Sequence, residues 1–132
     1  MMRNSEAKHI DTTEIDGLIE GNPKWGFSNV DLIAERKGKF LIQEWKRPDE
    51  GVSVGQRGLL SALAATPGFT VLIVTGYTEG TAMTVESVDY LPKLSAARWD
   101  GGSGQLTHIG NSVADLQRAI QGWYAKVDGG GL

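Results

Sequence analysis

The sequence predicts an α/β fold, a mixed central sheet flanked by helices, and three observations predict it. Two strand-like runs, VDLIAER and KFLIQEWK, flank the short polar turn Lys37-Gly38, a β-hairpin signal. A capped helical segment over 53–65 follows the hairpin. Then comes FTVLIVTG, an apolar, β-branched run of strand length. A helix between strands of this kind is the crossover that parallel pairing requires, so the sheet is mixed.

Residues 1–12 read as an arm. From Thr13, the segment TEIDGLIE spaces Ile15, Leu18 and Ile19 at i, i+3 and i+4, which predicts a helix. Thr13 with Asp16 forms a capping-box pattern, and Gly21-Asn22-Pro23 stops the helix, although Gly17 inside it is a cost. The hairpin strands are expected over Val30–Arg36 and Lys39–Lys46, ended by Pro48, which cannot donate to a sheet ladder. In SVGQRGLLSALAA, Ser53 is the expected N-cap, and Gln56, Leu59, Leu60 and Leu63 share one face. FTVLIVTG reads as a strand buried on both faces. Beyond Gly80, TAMTVESVDYL holds one more strand, and Ala97–Asp100 with Gln105–Ile109 flank GGSG as an edge hairpin. Asn111–Val127 is a final helix, with Ser112 capping and Val113, Leu116, Ile120 and Tyr124 at helical spacing.

At 132 residues, one domain over 1–132 is expected, its core about 13–78 and a variable part over 79–132. The absence of cysteine excludes disulfides, thiolate metal sites and cysteine nucleophiles. The polar start, MMRNSEAKHIDTTE, carries no signal-peptide-like stretch, and no window is apolar enough to span a bilayer. A soluble, cytoplasmic protein with no membrane partner is the expectation. A net charge of -3 weighs mildly against a polyanionic partner, although Arg36, Lys37, Lys39, Lys46, Arg47 and Arg57 concentrate in one region.

The chemistry centres on an acid-x-lysine triplet. Three occur, Glu6-Ala-Lys8, Glu35-Arg-Lys37 and Glu44-Trp-Lys46, so the triplet alone is unspecific. Only Glu44-Trp-Lys46 ends a strongly apolar strand, where the two-residue period puts Glu44 and Lys46 on one face and Trp45 on the other. Asp31, at the start of the partner strand, then lies beside Glu44 across the ladder. Two carboxylates so close repel unless a cation holds them, and a hard divalent ion, Mg²⁺ or Mn²⁺, suits oxygen ligands. The ligands would be Asp31, Glu44 and the backbone carbonyl of Trp45. Lys46 would orient a water or stabilise a developing phosphorane. Gln56, polar on an otherwise apolar helix face, aims at the same corner.

The run Gly26-Phe-Ser-Asn-Val-Asp31-Leu-Ile, then Phe40-Leu-Ile-Gln-Glu44-Trp-Lys46, then Ser53-Val-Gly-Gln56, resembles the PD-(D/E)XK nuclease superfamily. Within it, the pattern is most similar to the VRR-NUC group and to archaeal-type Holliday junction resolvases. The resemblance covers residues 26–75, and its three parts fall in the family's order. It implies a restriction-endonuclease-like fold with an αβββαβ core, and Mg²⁺-dependent hydrolysis of DNA, branched or junction DNA above all. It also implies a homodimer and catalytic roles for Asp31, Glu44, Lys46 and Gln56. A bacterial or phage source fits such a compact chain. Val30 stands where the family has proline. The family also places an acid on the preceding helix; of Glu6, Glu14 and Glu20, Glu14 is favoured, because an extended helix would turn it inward. Lys37, Lys39, Arg47 and Arg57 are the candidate nucleic-acid contacts.

Plainer readings compete. Asp31 can flank a strand, Glu44 and Lys46 can form a same-face ion pair, and Gln56 can be a helix-start residue. The tryptophans read as packing residues, with Trp25 in an exposed loop, and His9 and His108 as isolated surface residues. An inactive DNA- or protein-binding module on the same fold, or a structural protein that reuses it, are the other function classes.

Overall fold

The computed structural model describes residues 11–95 and 98–129. Strands β1 (Leu32–Arg36) and β2 (Lys39–Lys46) form the hairpin, with Ile33 opposite Ile42. Lys37 (φ 52°) and Gly38 (φ 80°) both take left-handed conformations in its two-residue turn, the arrangement that matches the twist of flanking strands. Helix α1 (Val54–Ala64) crosses over to β3 (Phe69–Glu79), which pairs parallel to β2 from Phe40/Phe69 to Lys46/Thr75. Strand β4 (Ala82–Leu91) returns antiparallel, β5 (Thr107–Gly110) pairs antiparallel to β4, and α2 (Val113–Asp128) closes the chain's described part. The sheet order is β1-β2-β3-β4-β5.

One helix covers each face. On the α1 face, Ile42, Val71, Ile73 and Leu91 pack with Leu60, Val52 and Trp99. On the other, Leu41, Leu72, Val74, Val85 and Val88 pack with Leu116 of α2. Val71 to Val74 are all buried, which is why that stretch reads as an unbroken apolar run. Both helices begin as their sequences predict. Ser53 Oγ accepts the Gln56 N–H at 3.3 Å, and Ser112 Oγ accepts the Asp115 N–H at 3.1 Å.

Three expectations are corrected. The first helix does not form: Thr13–Ile15 is a single 3₁₀ turn. Thr13 donates its N–H and hydroxyl to Asp11 rather than capping a helix, and Gly17 turns left-handed at φ 66°. Ile15, Leu18 (65% exposed) and Ile19 meet no core, and a short helix with nothing to pack on is marginal. Residues 98–100 are no strand of an edge hairpin, Ala97 lying outside the described residues. Trp99 is buried against the α1 side, its Nε1 donating to the Gly102 carbonyl at 2.7 Å, and β5 pairs with β4 instead. The described order is therefore ββαβββα rather than αβββαβ: two strands, not three, precede the crossover helix, and among the described residues no α-helix precedes them. What stands is the coarser expectation, an α/β fold on a mixed sheet.

Ladder irregularities fall at Thr75/Gly76 and Val88/Asp89. At Gly76 any side chain would run into the Thr84 carbonyl, whereas Gly122, within α2, has open space around it. Gly76→Ala should therefore lower the melting temperature by several degrees. Gly122→Ala should raise stability by about 0.5–1 kcal/mol, through backbone entropy alone. Thermal melts of the two variants beside wild type check both signs.

Candidate functional site

Strand β2 delivers its last residues to the edge of the sheet where α1 begins. The pairing of Leu32 with Gln43, extended by one residue, sets Asp31 across from Glu44. Asp31 Oδ2 accepts the Trp45 N–H at 2.7 Å, so the side chain continues the ladder where the strand β1 has not yet begun. Glu44 is half-buried on the α1 face. Its Oε1 accepts from Gln56 Nε2 at 3.0 Å, and the same amide donates to the Asn29 carbonyl at 2.5 Å. Gln56 thus fastens the segment before β1 to the end of β2. Lys46 shares the face, its Nζ donating to the Glu50 carbonyl at 3.2 Å, and the Glu50 carboxylate accepts the Arg47 N–H at 2.8 Å.

Glu44, Lys46, Glu50 and Gln56 line a cleft of about 220 Å³ together with Asn29, Trp45 and Gly51 to Ser53, and Asp31 stands beside it rather than in its lining. The Trp45 side chain points away, its Nε1 donating to Gln43 Oε1 at 3.0 Å amid the α2-side core. Burial pushes the Glu44 carboxyl up to about 7. The Gln56 hydrogen bond pulls it down, and the charge of Asp31 adds to the rise.

The sequence-predicted set therefore divides. Asp31, Glu44, Lys46 and Gln56 come together, with the Trp45 backbone beside them. Glu14 and Glu20 do not join them: among the described residues no group of three or more histidine, cysteine or acidic side chains stands ready for a metal. The helix that was to turn Glu14 inward is absent, and Glu6 lies outside the described residues. A pair of carboxylates nevertheless fits a hard cation. Mg²⁺ is commonly held by one or two carboxylates, with waters and phosphate oxygens filling the remainder. A cation here would also relieve the repulsion that helps raise Glu44.

The candidate nucleic-acid contacts scatter. Lys37 sits at the hairpin turn, at the far end of β2, with Nζ donating to the Asp128 carbonyl at 2.9 Å. Lys39 begins β2 and lies five residues from Glu44, about 17 Å along the strand. Arg57 is part-buried, its Nε donating to the Val52 carbonyl at 2.7 Å beside Gly101. Arg47 stays at the cleft end, its guanidinium 5.5 Å from the Tyr77 ring centroid.

Sequence reasoning missed two things. The Asn29 and Glu50 carbonyls carry no side-chain signal. His108, read as isolated, in fact lies 2.9 Å from the carboxylate of Asp89; the alternation Ser87-x-Asp89 in a strand was the available hint. His9 lies outside the described residues. Compared with known protein families, curated proteins and solved structures, the chain matches none of them.

The raised Glu44 carboxyl sets a sign for stability. Between about 4.5 and 7 the folded chain holds a proton that the unfolded chain releases, so this group's contribution falls as pH rises through that window. Glu44→Gln removes the dependence. The variant's melting temperature should gain on wild type from pH 5 to pH 8, and Mg²⁺ should raise the wild-type value alone. A gap that stays constant with pH would contradict the assignment.

Proposed function

We propose that this chain is a metal-dependent nuclease that hydrolyses DNA phosphodiester bonds, with branched or junction DNA as its preferred substrate. The observation that carries the reading is the half-buried Glu44 carboxyl, set across from Asp31, held by the Gln56 amide and sharing its strand face with Lys46. Such a concentration of an acid pair, an amide and an ammonium at one strand end is costly for stability alone. The similarity of the three sequence segments to PD-(D/E)XK nucleases supports the same chemistry.

Mg²⁺ or Mn²⁺ bound there would supply charge neutralisation at the scissile phosphate and activation of the attacking water. Asp31 and Glu44 would hold it, with the Trp45 carbonyl beside them. Gln56 fixes the Glu44 rotamer, so the carboxylate keeps its direction when it loses its proton. Lys46 faces the cleft from the strand position after next and stabilises negative charge developing on the phosphate. Its ammonium rests on the Glu50 carbonyl. A homodimer would let two such sites cut two strands symmetrically.

An inactive module that binds DNA or protein is the second reading. The net charge of -3 and the placing of Lys37 and Lys39 at the far end of β2 favour it.

Cleavage of labelled single-stranded, duplex, flap and four-way-junction DNA, with Mg²⁺, Mn²⁺ or EDTA, decides between them. Cutting should need the metal and fall at least about 100-fold in Glu44→Ala and Lys46→Ala. Gln56→Ala should weaken metal affinity by about 10–100-fold while leaving the fold intact, as loss of an outer partner does. No cutting of any substrate in either metal would leave the binding reading standing.

A further inference from the structure

The sheet carries a second polar group on the face that holds the cleft. Register sets Glu44 beside Ile73, Ile73 beside Asp89 and Asp89 beside His108. The neighbouring row sets Lys46 beside Thr75 and Thr75 beside Ser87. Strand alternation puts all of these on the α1 face. Ile73 is buried beneath the α1-side core, so the inner row is covered, while Lys46, Thr75 and Ser87 remain partly open. From β2 to β5 is three strand spacings, about 14 Å.

Asp89 is buried at 8% exposure, paired with the buried Ile73 of β3. Its Oδ2 accepts from Ser87 Oγ at 2.7 Å, and its Oδ1 lies 2.9 Å from His108 Nδ1. A buried carboxylate is tolerated when its oxygens are occupied in this way. The His108 side chain, by contrast, is 53% exposed. Its Nε2 lies 3.1 Å from Asn111 Nδ2, so the neutral ring donates from Nδ1 to Asp89 and accepts the Asn111 amide at Nε2. The second N–H of that amide, and Nε2–H of the ring in its charged form, are the donors this pair can offer an anion.

We infer that His108, oriented by Asp89, binds a backbone phosphate of a nucleic-acid strand that runs from the cleft across Lys46, Thr75 and Ser87. The choice of ligand rests on the nuclease reading. Lys46 and Arg47 are the cations at the near end of this strip, set among the Glu44 and Glu50 carboxylates, and both are side chains that contact phosphate oxygens. The span of about 14 Å corresponds to roughly four phosphates at the rise of one duplex strand. At that distance His108 touches no reacting atom, so it is a positioning residue for long substrates. The charged groups facing it are Asp89 from β4 and, through Asn111, Asp115 of α2. The Asp115 carboxylate is already engaged by the Asn111 N–H and by Arg118.

Binding of a labelled single-stranded DNA of about 12 nucleotides, long enough for this span, is measured in EDTA. His108→Ala should weaken binding about tenfold, and His108→Arg should restore it. With Mn²⁺, hydrolysis of bis(p-nitrophenyl) phosphate, too small to reach β5, should be the same in His108→Ala and wild type, while KM for the oligonucleotide rises. Equal oligonucleotide binding in wild type and His108→Ala overturns the inference, as does equal damage to the small diester. If binding depends on His108 but nothing is cut in either metal, the nuclease reading fails and the phosphate site stands.

Discussion

The parallel pairing of β2 with β3 is the constraint on which the site depends. Parallel neighbours cannot be joined by a tight turn, so the chain must leave β2 at one end of the sheet and return by a helix to the other. That helix starts where β2 stops. Its first turn, with Ser53 as cap and Gln56 just inside, is therefore held over the last residues of β2. Glu44, Lys46 and Gln56 meet because the crossover leaves them no other arrangement. The interior that enforces it is hydrophobic: Leu60 on the helix and Ile42, Val71 and Ile73 on the sheet share one core. Alternation along β2 then assigns Glu44 to the α1 face and Trp45 to the α2 face, so a single strand serves the cleft with one side and the opposite core with the other.

Electrostatics complete what packing begins. Half-burial makes the Glu44 carboxyl reluctant to ionise, and Asp31 across the ladder adds to the reluctance. The Gln56 amide opposes both while bridging to the Asn29 carbonyl. The site so built has each side chain held in direction by a named partner, Asp31 by the Trp45 N–H and Glu44 by the Gln56 amide. The Asp89–His108 pair follows a different plan. There the acid is sealed inside and spends its oxygens on Ser87 and His108, leaving the imidazole as the exposed group.

Much of this was legible in the sequence because the signals were local or periodic. The hairpin turn at Lys37-Gly38, the caps at Ser53 and Ser112, and the apolar run through Val71–Val74 each state their structure within a few residues. The approach of Asp31 to Glu44 followed from the turn position alone. What failed depended on distant partners. Ile15, Leu18 and Ile19 have helical spacing but no surface to cover, and Gly17 breaks the segment. Trp99 is committed to the α1-side core through Ser61 and Gly102, which no local pattern around GGSG announces. His108 looked solitary because Asp89, 19 residues upstream, becomes its neighbour only through the β4–β5 ladder.

At the end of the sheet remote from the cleft, Asp128 in the last turn of α2 accepts from Arg36, 92 residues earlier, and from Lys37 at the hairpin turn. Arg36 also lies over the Tyr124 ring at 5.0 Å. This clasp ties the final helix to the first strand across 92 residues of chain. Both partners are part-exposed, and such pairs contribute modestly, so the clasp secures the helix end rather than building the fold. The cleft is anchored separately, through α1 and the pairing of β2 with β3, and the acid pair owes nothing to the clasp.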